Sequence, residues 1–187
     1  MKVPMVDMLA GYSAFRDEAE TAVKNVMNKG NFILGEEVSK FENEFAALNG
    51  SKFAVGVANG TDALRLSIIA SGIKPGDEVI TSPFTFIATT ETISQAGAIP
   101  VFADIEPDTY NLDPRSVARK ITKKTKAVIP VHLYGHPADM DPILDLAKKH
   151  GLKVIEDCAQ AFTAQYQAGG REWKDTGSMG DCGTFSF

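Results

Sequence analysis

Between residues 53 and 157 the chain alternates short apolar runs with helix-length amphipathic stretches, and few folds accept that pattern. The apolar runs fall at 53–57, 78–81, 100–103, 127–131 and 153–155. Between them, apolar residues recur at helical spacing over 61–71, 85–96, 114–121 and 142–150. Strand and helix periods in alternation predict βαβ units: a three-layer α/β fold with a mainly parallel sheet and helices on both faces. Crossovers are expected to be right-handed. The punctuation agrees. Asp113-Pro114 and Asp141-Pro142 each place an N-cap acid before a proline at the first helical position. Gly72 and Gly151 stand where helices should end.

Upstream, "SAFRDEAETAVKNVMNKG" predicts an amphipathic helix stopping at Gly30. "EEVSKFENEFAALNG" predicts a second, with Val38, Phe41, Phe45 and Leu48 on one face. The apolar loop "NFILG" joins them. At the other end, "DCGTFSF" reads as a last strand through Thr184, Phe185, Ser186 and Phe187. A chain stopping inside an apolar strand departs from the usual polar, frayed terminus. It implies a longer protein with a further element beyond Phe187.

Composition narrows the class of function. With 187 residues and a formal net charge of −5, the chain suits one domain and shows no basic footprint for nucleic acid. No apolar run approaches the ~20 residues needed to cross a membrane. "MKVPMVDMLAGYSAF" has no apolar core of a secretory leader. The two cysteines, Cys158 and Cys182, make no disulfide framework, so reduced thiols in a cytoplasmic protein are expected. The three histidines, His132, His136 and His150, do not stand at metal-ligand spacing with the cysteines, and no metal site is expected.

In an open parallel sheet, ligands bind beyond the carboxyl ends of the strands. After 53–57 comes "ANGTDALRL". Gly60 permits a sharp turn, and Thr61 and Asp62 then open a helix whose free N–H groups form an anion site. Simple capping by Thr61 or Asp62 accounts for the same residues. If Asp62 meets an anion, it does so through its backbone N–H, because its carboxylate is repelled. The stretch is not G-x-G-x-x-G, and no GK[ST] follows any strand, which argues against a dinucleotide dehydrogenase and a P-loop NTPase. The G-x-S-x-G elbow of a serine hydrolase is also missing. After 78–81 come Phe84 and Phe86, core residues or a flat platform for a ring. After 127–131 come His132 and Tyr134. The last run ends on Glu156 and Asp157, with Gln160 close behind. Asp157 reads equally as a helix cap. An anion site, an aromatic plate, a carboxylate and an amide together suit a phosphorylated heterocycle with a basic ring nitrogen, such as pyridoxal phosphate.

The sequence resembles the DegT/DnrJ/EryC1/StrS family of pyridoxal-phosphate-dependent sugar aminotransferases, of fold type I. The motifs are "NFILGEEVSKFENEFA", "ANGTDAL", "GDEVITSPFTFIATTE", "DIEPDTYNLDP", "IPVHLYGHPADMD", "VIEDCAQAF" and "GDCGTFSF". They span nearly the whole chain, in family order and spacing. The resemblance implies that residues 1–187 are an incomplete cofactor-binding large domain, with the small C-terminal domain absent. It implies that Gly60, Thr61, Asp62 and Ser186 bind the cofactor phosphate and that Phe86 stacks on the pyridine ring. Asp157 would pair with the ring nitrogen, keeping it protonated as an electron sink. Gln160 would lie near the ring hydroxyl. Glu156 points to the other side of the strand by the period of two, in a structural role.

One departure bears on activity. The family's Schiff-base lysine lies a few residues beyond the Ser186 position, past Phe187. Lys174 does not replace it, since it falls in the hydrophilic "GGREWKDTG" stretch. The resemblance therefore implies transfer of an amino group from glutamate to a nucleotide-linked keto sugar by the full-length protein, as a homodimer. The 187-residue chain alone is expected to be inactive. "TYNLDP" and "NFILGEEV" most resemble members that aminate carbon 3 of a UDP-linked sugar. Two alternatives stay open: a family dehydratase with histidine at the lysine position, and a catalytically inert fragment.

Overall fold

The structure, a computed structural model, describes residues 4–170 and 172–187. Met1, Lys2 and Val3, part of the stretch read for a leader, lie outside the described residues. Two compact units divide the chain, Met1–Glu44 and Phe45–Phe187. The first holds α1 (Met8–Ser13), α2 (Arg16–Lys29) and the start of α3 (Glu36–Asn49). The Asp7 carboxylate accepts the Ala10 N–H at 2.9 Å and caps α1. The helix expected over 13–30 forms as α2 but starts at Arg16, with the short α1 before it and Ala14 and Phe15 between them. Gly30 ends α2 at φ +66°, a left-handed position that glycine adopts without strain.

The second unit holds β1 (Glu78–Thr81), β2 (Ile99–Phe102), β3 (Thr125–Val128), β4 (Lys153–Asp157) and β7 (Cys182–Thr184), in one sheet of order β2-β1-β3-β4-β7. Every pairing in it is parallel. A separate antiparallel hairpin joins β5 (Gln165–Ala168) to β6 (Glu172–Asp175). Helices α4 (Gly60–Ala70), α5 (Ile87–Gln95), α6 (Pro114–Lys120) and α7 (Met140–His150) complete the unit.

The pleat sorts the core into two layers. Val79, Ala127, Ile129 and Ile155 join Leu64, Ile68, Ala88 and Ile93 of α4 and α5 in one cluster. Ile80, Val128 and Val154 join Val117 of α6 and Met140, Ile143 and Ala147 of α7 in the other. Alternate strand residues thus serve opposite faces, as the period of two requires. Each fully buried side chain, such as Ile68, Ile80 or Ile143, contributes roughly 1.5–3 kcal/mol relative to exposure. The three-layer α/β fold is the one the alternation predicts.

Several local expectations are corrected. Residues 53–57 form no strand, and Phe53 and Val55 are exposed. Those residues have strand composition, but among the described strands none is ordered beside them in a sheet, and propensity alone does not make a strand. The helix at Asp141-Pro142 starts two residues earlier than that pair implies. Its N-cap is Asp139, which puts Pro142 in the first turn, where a missing N–H is harmless. Asp113 caps α6 as predicted, accepting the Arg115 N–H at 2.9 Å. Strand β4 continues through Glu156 and Asp157, while β7 stops at Thr184, leaving Phe185, Ser186 and Phe187 beyond it. The stretch around Lys174, read as a loop, contains β6 of the hairpin, and Arg171 within it lies outside the described residues.

Candidate functional site

The paired acids at the end of β4 part company because consecutive strand residues face opposite layers. Glu156 is fully buried and accepts four hydrogen bonds. Its Oε2 takes the Gly177 N–H at 2.8 Å and lies 3.0 Å from His132 Nε2. Its Oε1 takes the Met179 and Gly180 N–H groups at 2.8 and 2.6 Å. The Ala138 N–H donates to His132 Nδ1 at 3.0 Å, so His132 carries its proton on Nε2 and donates it to Glu156. His132, Glu156 and Cys158 lie close enough to suggest a metal cluster. Both ring nitrogens and both carboxylate oxygens already have protein partners, so this is a structural knot that ties the 177–180 turn to β4.

Asp157 faces the other way, into a cavity at the carboxyl ends of the strands. Its Oδ2 accepts the Thr89 hydroxyl at 2.8 Å and its Oδ1 the Ala159 N–H at 3.2 Å. Burial pushes its carboxyl above the usual value, and these two donors pull it part of the way back. Beside it stand Phe86, the N-terminus of α4 with Gly60 and Thr61, and Ser186. Phe86 is the N-cap residue of α5 and is 72% exposed, so it is a surface and not a core residue. Phe84, the other aromatic considered, packs against Tyr110 with ring centroids 5.7 Å apart.

At the start of α4 the cap is Asn59, not Thr61 or Asp62. The Asp62 N–H donates to Asn59 Oδ1 at 2.8 Å, and Asn59 Nδ2 donates to Asp62 Oδ2 at 3.3 Å. The Asp62 N–H expected to meet an anion is therefore engaged within the cap. Those of Gly60 and Thr61 are first-turn donors without an intrahelical partner. A Cβ on Gly60 would lie 2.7 Å from Ser186 Cβ, so only glycine lets the helix terminus close on Ser186. Thr184 holds that segment in place, its hydroxyl donating to the Glu156 carbonyl at 3.0 Å and its own carbonyl accepting the Cys158 N–H at 2.8 Å.

The structure thus brings Gly60, Thr61, Phe86, Asp157 and Ser186 around one cavity. Gln160 is not among the lining residues. It is exposed, and its Oε1 accepts the Tyr134 N–H at 2.7 Å. Among the described residues, no lysine lines the cavity; Lys174 is exposed on β6. Thr89 was not legible in the sequence as a site residue. The only signal was its spacing of four from Thr85, which puts both hydroxyls on one helix face.

A carboxylate, an aromatic face and a helix N-terminus converge at the carboxyl ends of a parallel α/β sheet, the usual place for a ligand in such a fold. The chain belongs to the DegT/DnrJ/EryC1/StrS aminotransferase family, which matches residues 14–187. It is 49% identical over 185 residues to a UDP-N-acetyl-3-dehydro-alpha-D-glucosamine 3-aminotransferase of Acidithiobacillus ferrooxidans, covering 99% of this chain and 49% of that protein. It matches the crystal structure of Streptomyces venezuelae DesV with a TM-score of 0.90 and 44% identity, over 95% of this chain and 46% of the other. It also matches Bacillus subtilis NtdA with bound cofactor PMP, with a TM-score of 0.75 and 36% identity, over 78% of this chain and 34% of the other. The chain spans about half the length of the curated relatives it matches.

Proposed function

We propose that residues 1–187 hold pyridoxal phosphate and belong to an aminotransferase that moves an amino group from glutamate to a nucleotide-linked keto sugar. The observation that carries this reading is the buried Asp157 carboxylate aimed into a cavity whose opposite requirements, an aromatic face and an anion cup, are met by Phe86 and by Gly60, Thr61 and Ser186. The fit rests on the donor set. An acceptor-only carboxylate suits a protonated ring nitrogen, and a helix N-terminus closed by a serine suits a phosphate. When bound, the pyridinium supplies an electron sink for chemistry at the amine-bearing carbon.

The chain's own residues have separable tasks in this reading. Asp157 holds a proton on the ring nitrogen through a charge-assisted hydrogen bond. Phe86 covers one ring face and excludes water from it. Gly60 and Thr61 supply backbone N–H groups to the phosphate, and the Ser186 hydroxyl adds a further donor. Gln160 does not line the cavity and its Oε1 is engaged with Tyr134, which leaves its Nε2 amide as the group that would meet the ring hydroxyl. The UDP and dTDP sugars named for relatives support a nucleotide-sugar substrate. A homodimeric assembly and a cytoplasmic location belong to the same proposal. They draw support from exposed Phe32, Ile33 and Leu34 and from two unpaired cysteines, respectively. Among the described residues, no helix is long and apolar enough to cross a membrane.

The test is binding of pyridoxamine 5′-phosphate, which needs no lysine, to residues 1–187. Saturable binding that weakens at least about tenfold in Asp157→Asn is expected, since a hydrogen bond to a charged group is worth ~1.5–3 kcal/mol. Equal affinity of the two proteins would remove Asp157 from the role. A protein carrying residues 1–187 at the length of its relatives should aminate a UDP- or dTDP-linked keto sugar with glutamate. It should sediment as a dimer.

A further inference from the structure

Asp157 is held by a short relay of hydroxyls. Thr89 is fully buried, and its Oγ1 donates to Asp157 Oδ2 at 2.8 Å. Thr85 Oγ1 lies 3.0 Å from Thr89 Oγ1. A hydroxyl has one proton. With the Thr89 proton given to the carboxylate, the Thr85 proton must point to Thr89. The order Thr85 to Thr89 to Asp157 is therefore set by the inventory of donors.

We propose that Thr89, backed by Thr85, is the positioning residue that sets the orientation of the Asp157 carboxylate toward the cavity, and through it the protonation of a bound pyridine ring nitrogen. The proposal rests on the cofactor reading given above. The terminal torsion of an aspartate is broad and roughly two-fold, so a carboxylate needs outside contacts to hold its plane. Asp157 is only 4% exposed, so fixed protein groups and not bulk solvent do most of this holding. The other contact, the Ala159 N–H at 3.2 Å, is longer and reaches the opposite oxygen. His132 is not available, because its two nitrogens are committed to Glu156 and to the Ala138 N–H. Thr89 is thus the one side chain with a hydrogen bond to this carboxylate among the described residues.

The location of Thr89 adds a reason. Its N–H donates to the Phe86 carbonyl at 3.2 Å, so the hydroxyl that holds the carboxylate and the ring that faces the cavity share the first turn of α5. A valine would match threonine in shape and keep that turn, while removing the proton donor.

The experiment uses residues 1–187 with ring-15N pyridoxamine 5′-phosphate, reading its dissociation constant and its 15N chemical shift. Wild type should show the shift of a protonated ring nitrogen. Thr89→Val should weaken binding about tenfold and move the resonance toward the unprotonated value. Thr89→Ser should restore both, and Thr85→Val should move the resonance the same way by less. A Thr89→Val protein with wild-type affinity and shift overturns the proposal. So does a Thr89→Ser protein that behaves like Thr89→Val, because the methyl packing would then be responsible. If Thr89→Val does not fold, Thr85→Val decides, and an unmoved resonance there overturns the relay. Wild type that binds no pyridoxamine phosphate refutes the cofactor reading itself, an outcome distinct from the others.

Discussion

Glu156 and Asp157 are neighbours in the chain, yet their carboxylates serve opposite layers of the sheet. Glu156 gathers the 177–180 turn on the side of Val154 and Met179, and Asp157 meets Thr89 of α5 on the side of Ile155. The pleat of β4 makes this separation, and it gives the two acids different experimental signatures. Replacing Glu156 by leucine orphans the buried Gly177 N–H and His132 Nε2–H together with the half-buried Met179 and Gly180 N–H groups. At ~1–3 kcal/mol for each unsatisfied group, the loss should be on the order of 4 kcal/mol or more. Urea denaturation measures it, and a loss below about 1 kcal/mol would contradict the knot.

The Asp157 variant should behave in the opposite sense. Burial holds its carboxyl above the ordinary value, so the folded chain keeps a proton where the unfolded chain has released it. The folded state then binds more protons, and stability falls as pH rises from the usual carboxylate value of ~4 through the folded value. Asp157→Asn removes that dependence. Its stability relative to wild type should improve as pH rises above the usual carboxylate value, and then level off once the folded carboxyl has also ionised. Melting temperatures of both proteins across that range give the answer, and a constant difference would show that Asp157 has no such linkage. The same substitution should weaken cofactor binding, so stability and function are opposed at this residue.

Gly60→Ala tests the anion cup. A Cβ there would fall 2.7 Å from Ser186 Cβ and 3.1 Å from its Oγ. Ser186 lies on an exposed segment beyond β7 and can move away. Folding should therefore change little, while affinity for pyridoxamine phosphate should fall about tenfold through loss of a charge-assisted contact. Affinity for pyridoxamine without the phosphate should be unaffected. Equal losses for both ligands would place the effect outside the phosphate cup.

Residues 1–187 treated with pyridoxal phosphate and borohydride should show no stoichiometric labelling of one lysine. Among the described residues no lysine lines the cavity, and an exposed amine such as Lys174 lacks the fixed geometry that speeds a bimolecular reaction. Peptide mapping by mass spectrometry reads the outcome, and a single fully labelled lysine would contradict it.

The alternating apolar runs determined the α/β class, because a strand and a helix differ in period over only a few residues. Caps were legible for the same reason: Asp113 reaches the N–H of Arg115, and Gly30 and Gly151 adopt left-handed φ at their own positions. Of the residues that surround the cavity, Gly60, Thr61, Phe86, Asp157 and Ser186 were legible in the sequence, chiefly through family motifs. Tertiary structure decided the rest. Residues 53–57 have strand composition but join none of the described sheets, and sequence composition does not report a partner strand. The choice of Asn59 as the cap of α4 rests on side-chain rotamers that "ANGTDAL" leaves open. Thr89 became a site residue only because α5 packs on the face of β4 that carries Asp157, 68 residues away in the chain. Contacts at that separation depend on how layers stack, and local periodicity carries no record of them.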